Sequence, residues 1–160
     1  MLYIVRHAWA EDASEEYPED KLRPLTKAGR KRFRKFIKQL AKRGFDPRHV
    51  ASSPLVRCRE TAEIIAANVA SEPPVTELEA LAPGSSLAPL IEWTRQQAEG
   101  DVAWVGHAPD VGMLTASLIG EPRLALHFAK GAVAAIEFDH EIAAGAGQLR
   151  WLITAEILNC

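Results

Sequence analysis

Apolar and polar positions along this chain follow two alternating periods. Short apolar runs with strand character occupy residues 3–6, 50–52, a stretch near Val75 and residues 101–106. Between them, apolar residues recur at helical spacing. The clearest case follows Thr26, whose hydroxyl suits an N-cap: Phe33, Phe36, Ile37, Leu40 and Ala41 recur every three or four positions until Gly44 stops the run. Pro54 opens a second helix through about Asn68, since proline is tolerated in a first turn. Residues 87–99 and 109–119 predict two more. Pro73-Pro74 punctuates one connection, and residues 79–86, with Pro83-Gly84-Ser85-Ser86, predict a loop. The last quarter changes character: residues 133–138 and 148–153 predict strands around a turn at Gly145 and Gly147. Successive strand–helix pairs predict an α/β fold whose largely parallel sheet is covered on both faces. The final strand pair predicts one antiparallel strand, and so a mixed sheet.

The length, 160 residues, predicts one domain over 1–160. With 48% apolar and 25% charged residues and no low-complexity tract, the composition is that of a globular protein. A formal net charge of −2 argues against bulk nucleic-acid or membrane-surface binding. No apolar run reaches the ~20 residues that span a bilayer. The N-terminus enters a strand pattern without a charged leader region, which predicts a cytoplasmic protein. Cys58 and Cys160 are spaced neither for a metal nor for a disulfide framework. A thiol-phosphatase loop would need an arginine after five intervening residues from Cys58, and Ile64 stands there. His49, His127 and His140 have no second ligand near them in sequence.

Two strand patterns end in the same way, with His7-Ala8 and His107-Ala108. A strand that stops in a polar residue delivers it to the carboxyl edge of the sheet, where open α/β folds bind ligands. Taken singly, such a histidine is more often a turn residue; the pair, with Arg6 beside the first, predicts a built site. A neutral imidazole can attack phosphorus when its other nitrogen donates to a backbone carbonyl. Arg6 would neutralise the phosphoryl oxygens. Residues 52–61, beginning Ser52-Ser53-Pro54-Leu55-Val56-Arg57, pass from strand to helix within three residues, and free N–H groups there suit an anion. Arg57 in a first turn opposes the helix dipole mildly, a cost that a bound phosphate offsets. Gly106 is expected to let the backbone approach a ligand. Two arginines and two histidines converging on one anion supply what phosphoryl transfer needs.

Taken in order, these residues resemble the histidine phosphatase superfamily, with its phosphoglycerate mutase-like fold. Within it, the chain is most similar to the small SixA-type phosphohistidine phosphatases. The resemblance rests on Arg6-His7-Ala8, Arg23-Pro24-Leu25-Thr26, Ser53-Pro54-Leu55-Val56-Arg57 with Thr61, Glu79 before Pro83-Gly84, and Gly106-His107. It implies a three-layer α/β/α sandwich, and a phosphatase acting on protein phosphohistidine through a covalent phosphohistidine intermediate. His7 becomes the nucleophile; Arg6, Arg57 and His107 become the phosphate pocket. Glu79 is the best positional match for a general acid, with Glu77 second, and Arg23 is placed on the substrate rim. No metal and no cofactor are implied. The implied partner is a phosphohistidine-bearing protein of a bacterial phosphorelay or phosphotransferase system. Alternatives are a broad small-molecule phosphomonoesterase and a non-catalytic phosphoprotein-binding module. Ala8 replaces the glycine of larger relatives and marks the SixA-like branch.

Charge is also segregated. Residues 11–20 hold six acidic side chains, whereas residues 27–43 hold nine basic ones and no acid. The plain expectation is a solvated helix face partly neutralised by the acidic segment. The sharper one is a docking rim for an acidic phosphoprotein, formed by the helix with Arg23 and testable at Arg32 and Lys35. Residues 9–22 could form an ordered lid or a mobile loop.

Overall fold

A six-stranded mixed sheet forms the centre of the computed structural model, which describes residues 1–160. The strands are β1 (Leu2–Arg6), β2 (His49–Ser52), β3 (Val75–Glu77), β4 (Val102–Gly106), β5 (Val133–Phe138) and β6 (Gly147–Ile153). The helices are α1 (Lys27–Ala41), α2 (Val56–Ala66), α3 (Leu87–Arg95) and α4 (Asp110–Leu118). Strand order is β3-β2-β4-β1-β5-β6. β1, β2, β3 and β4 are mutually parallel, and β5 runs antiparallel to both β1 and β6. The sheet is therefore mixed through one reversed strand, as the final strand pair predicts.

Each sheet face carries its own core. Alternation along β1 sends Tyr3 and Val5 to one side, with Phe33, Phe36, Ile37 and Leu40 of α1 and Cys58 and Ile65 of α2. Leu2 and Ile4 go to the other, with Trp104, Leu90 of α3, and Leu114 and Leu118 of α4. Trp104 is fully buried, and its indole N–H donates to Thr94 Oγ1 at 3.0 Å. Each such large apolar side chain stabilises the fold by about 1.5–3 kcal/mol. No helix is long and apolar enough to cross a membrane.

Thr26 caps α1, its hydroxyl accepting from Gly29 N at 2.8 Å. Helix ends differ from the periodicity where tertiary bonds intervene. α2 begins at Val56 rather than Pro54, because Ser53 N still donates to Val105 O and extends the ladder past β2. The 87–99 helix stops at Arg95: residues 96–99 offer no large apolar side chain to bury, and packing carries most helical stability. The expected 79–86 loop contains a short 3-10 turn, Glu79–Leu81, with Leu81 buried.

Candidate active site

Strand register assembles the site. Arg6 pairs with Gly106 across β1 and β4, and Ser52 pairs with Val105 across β2 and β4. Three adjacent parallel strands thus end together, delivering His7, His107 and Ser53 to one carboxyl edge. The two imidazoles lie with ring centroids 5.3 Å apart. His7, His107, Arg57 and Ser53 are all buried.

His7 is held by its backbone and by one ring nitrogen. Its N–H donates to Gly106 O at 3.0 Å, and its carbonyl accepts from Gly131 N at 3.0 Å. The Nδ1–H donates to Ala8 O at 2.8 Å, which leaves the Nε2 lone pair for attack. Burial pushes the His7 pKa down to about 3, against the raising effect of that carbonyl and with Arg57, His107 and Arg6 adding repulsion. Burial, then Arg57, lowers His107 to about 4. Both rings are neutral at physiological pH. His107 Nε2 lies 2.9 Å from Ser53 Oγ and 3.4 Å from Cys58 Sγ. Burial raises the Cys58 thiol to about 12, so it packs beside His107 as a neutral group.

The arginines frame the same edge. Arg6 donates from Nη1 to Phe128 O at 2.6 Å. Arg57 donates from Nη1 to Asp20 O at 2.8 Å and from Nη2 to Asp20 Oδ2 at 2.9 Å. Both Nε–H groups are buried without an acceptor. A buried donor left unpaired costs about 1–3 kcal/mol, which an oxyanion at this edge would offset. Thr61, one turn after Arg57, clamps α2 to the turn after β1: its hydroxyl donates to Arg57 O at 2.7 Å and accepts from Ala8 N at 3.1 Å.

Other expected residues fall differently. Arg23 is bonded to the Asp20 carboxylate and donates from Nη1 to Glu11 O at 2.6 Å. It braces the Asp20–Leu22 turn that covers Arg57. Glu79 is exposed at the start of its 3-10 turn, and Glu77 lies 3.4 Å from Arg59. Gly106 is also closely packed: a Cβ there would meet Val111 Cγ1 at a tight 3.3 Å and Leu81 Cδ2 at 3.7 Å. Asp20 and the 128–132 segment were not singled out by the sequence. Asp20 was hidden in an acidic run, and the second group contributes backbone atoms, which carry no residue-type signal. The largest cleft, about 840 Å³, is lined by Met1, Val102 and His140 among others, and by none of these site residues.

A family model described as histidine phosphatase superfamily (branch 1) matches residues 2–82, including Arg6, His7, Arg57 and Thr61. The chain belongs to the histidine phosphatase superfamily. An uncharacterized protein of Picosynechococcus sp. is 39% identical to this histidine phosphatase over 114 residues, 69% of this chain and 68% of the relative. Solved structures share its fold. The protein histidine phosphatase SixA complexed with tungstate superposes with a TM-score of 0.83 at 24% identity, over 98% of each chain. A phosphoserine phosphatase mutant from Entamoeba histolytica, in complex with phosphoserine, gives 0.70 at 17% identity, over 98% of each chain. A mycobacterial glucosyl-3-phosphoglycerate phosphatase gives 0.68 at 16%, covering 93% of this chain and 95% of that one. The mixed sheet of this histidine phosphatase is the phosphoglycerate mutase-like α/β fold.

The two neutral histidines make stability depend on acid. Their folded pKa values lie below the ordinary value near 6.5, so between these values the unfolded chain binds more protons. Their contribution is complete above pH ~6.5 and falls as pH drops toward the folded values, by up to about 1.4 kcal/mol per pH unit for each ring. Urea unfolding across this range is expected to show a shallower pH slope for His7→Gln than for wild type. Equal slopes would refute the assignment.

Proposed function

We propose that this phosphatase hydrolyses phosphohistidine on a protein, through its own phosphorylated His7. The observation that carries the reading is the His7 ring: neutral, with Nδ1 tied to Ala8 O, and beside the buried Arg57 and the half-buried Arg6. In the first step His7 Nε2 attacks phosphorus as the P–N bond to the substrate imidazole breaks. Arg6, Arg57 and His107 stabilise the charge on the transferring oxygens. The released imidazole takes up a proton. In the second step water attacks phospho-His7, releasing phosphate and restoring the ring, with His107 assisting.

Substrate class is argued from the acid. An alkoxide leaving group needs a well-placed proton donor, whereas the imidazole of a phosphohistidine leaves with less help. Here Glu79 is exposed and Glu77 faces Arg59, and neither hydrogen-bonds to His7. That suits a P–N bond better than an alkyl ester. The likeness of fold to SixA over 98% of both chains is consistent with this reading. The partner we propose is a phosphohistidine-bearing protein of a bacterial phosphorelay or phosphotransferase system.

The test compares kcat/KM on a phosphohistidine protein with a panel of sugar phosphates, phosphoserine and an aryl phosphate. The expected result is a preference of about 10²-fold or more for phosphohistidine. A preference for a small ester would replace this reading with a metabolite phosphomonoesterase. Binding without turnover of any substrate would replace it with a phosphoprotein-binding module.

A further inference from the structure

The outer face of α1 has no counterpart in the catalytic argument. Phe33, Phe36, Ile37 and Leu40 bury one side of this helix. At ~100° per residue, Lys27, Arg30, Lys31, Arg34, Lys38 and the C-cap Lys42 all fall within an arc of roughly 120° on the other. Within that arc only Arg30 has an ion-pair partner, Glu60. Lys27, Lys31, Arg34, Lys38 and Lys42 are exposed and unpaired.

The acidic segment forms no ion pair with them. Glu19 pairs with Lys21, Asp20 with Arg23 and Arg57, and Glu16 accepts from the Tyr17 hydroxyl. Like charges at i, i+4, such as Lys27 and Lys31 or Arg34 and Lys38, each cost a helix about 0.2–0.5 kcal/mol. The first turn holds no acid to offset the dipole. The formal charge of the whole chain is −2, yet its cations concentrate on this one face.

The stripe starts at the rim of the site. Gly29 lies against the backbone of Trp9, two residues past His7: a Cβ there would sit 2.4 Å from Trp9 O. Glu60, which holds Arg30, lies on α2 one turn from Arg57 and also accepts from Leu25 N. From there the helix runs about 22 Å.

We propose that the exposed face of α1 docks an acidic surface of the protein substrate, so that the phosphohistidine beside that surface enters the His7 pocket. This proposal rests on the phosphohistidine-protein reading. Charge complementarity selects the partner: an array of solvated cations accelerates encounter with an acidic face and fixes its register. The arc offers no exposed aromatic for stacking on bases. It offers no apolar side chain for insertion into lipid either. Arg32 and Lys35 are outside the docking set, because they donate to Cys160 O and Asn159 O.

The test uses the combined variant Lys31→Glu, Arg34→Glu, Lys38→Glu, none of which touches the site. The substrates are a net-acidic phosphotransfer protein phosphorylated on histidine, and phosphoramidate. In wild type, kcat/KM on the protein is expected to fall about tenfold between roughly 20 and 200 mM salt. The variant is expected to lose about tenfold on the protein at low salt while staying within about twofold on phosphoramidate. Unchanged or equal rates on the two substrates, with wild type active on both, overturn docking alone. Wild type active on phosphoramidate but not on the phosphoprotein overturns the functional reading and docking with it. Duplex DNA or anionic vesicles bound by wild type and released by the variant, with phosphoprotein kinetics unchanged, also overturn it.

Discussion

His7→Ala is expected to lower turnover by about 10³–10⁵-fold and to abolish the phosphoenzyme, the range typical of losing a covalent nucleophile. No neighbour can substitute. Cys58 is held as a neutral thiol, with a pKa raised to about 12 by burial. His107 is already engaged, with Nε2 2.9 Å from Ser53 Oγ. The measurement is rapid-quench labelling with a radiolabelled phosphohistidine protein. In wild type the label should be acid-labile and alkali-stable, and in the variant absent. His7→Gln serves as a second variant that keeps a polar side chain of similar size. A variant that keeps more than about a tenth of wild-type turnover would remove His7 from the nucleophile role.

Arg57→Ala is expected to cost about 10²–10³-fold in kcat/KM, because the proposed mechanism sets this buried cation against the developing phosphoryl charge. Arg57→Lys should recover little: an ammonium cannot reproduce the planar fork that holds two oxygens at once. Asp20 sharpens this prediction. Its carbonyl and carboxylate each take one N–H from a terminal nitrogen of Arg57, and the buried Nε–H has no acceptor. The Arg23 hydrogen bond, with Arg57 assisting, holds the Asp20 carboxyl below its ordinary pKa, so it stays ionised at neutral pH. A phosphoryl group that takes those same two N–H groups displaces it. Asp20 is largely exposed, with 59% of its side chain open to solvent, so that displacement costs little. Asp20→Asn is therefore expected to tighten inhibition by tungstate severalfold, opposite in sign to Arg57→Ala. Weaker inhibition in Asp20→Asn would mean that the carboxylate orients Arg57 instead of competing for it.

Much of the site was legible because its parts are local. An apolar run ending in Arg6-His7 or Gly106-His107 announces a strand that delivers a polar group, and Ser53 to Arg57 announces a strand-to-helix turn. Each signal needs only a few consecutive residues. Gly106 shows the limit. Its residue type was legible, but the close packing of Val111 and Leu81 around it lies in neighbours from other elements. Arg23 shows the same limit. Read as a substrate rim, it is spent on Asp20 and Glu11 O, an arrangement set by how residues 9–25 fold back. The charged segments show it most clearly. Runs of opposite charge next to each other in sequence suggest mutual neutralisation, yet no ion pair joins residues 11–20 to α1.

The sequence by itself determined the alternation of strands and helices, the mixed sheet, the Thr26 cap and the residue types offered at the strand ends. These follow from side-chain periodicity and backbone preference, which act over one or two turns. Only the tertiary structure decided that β4 lies between β1 and β2, so that His7, His107 and Ser53 share one edge. It alone decided that Asp20 covers Arg57, that the carbonyls of Phe128 and Ala8 hold Arg6 and His7, and that α1 keeps its charges bare. Those outcomes depend on which distant segments meet when two faces of one sheet bury their apolar surface, and no local period encodes that.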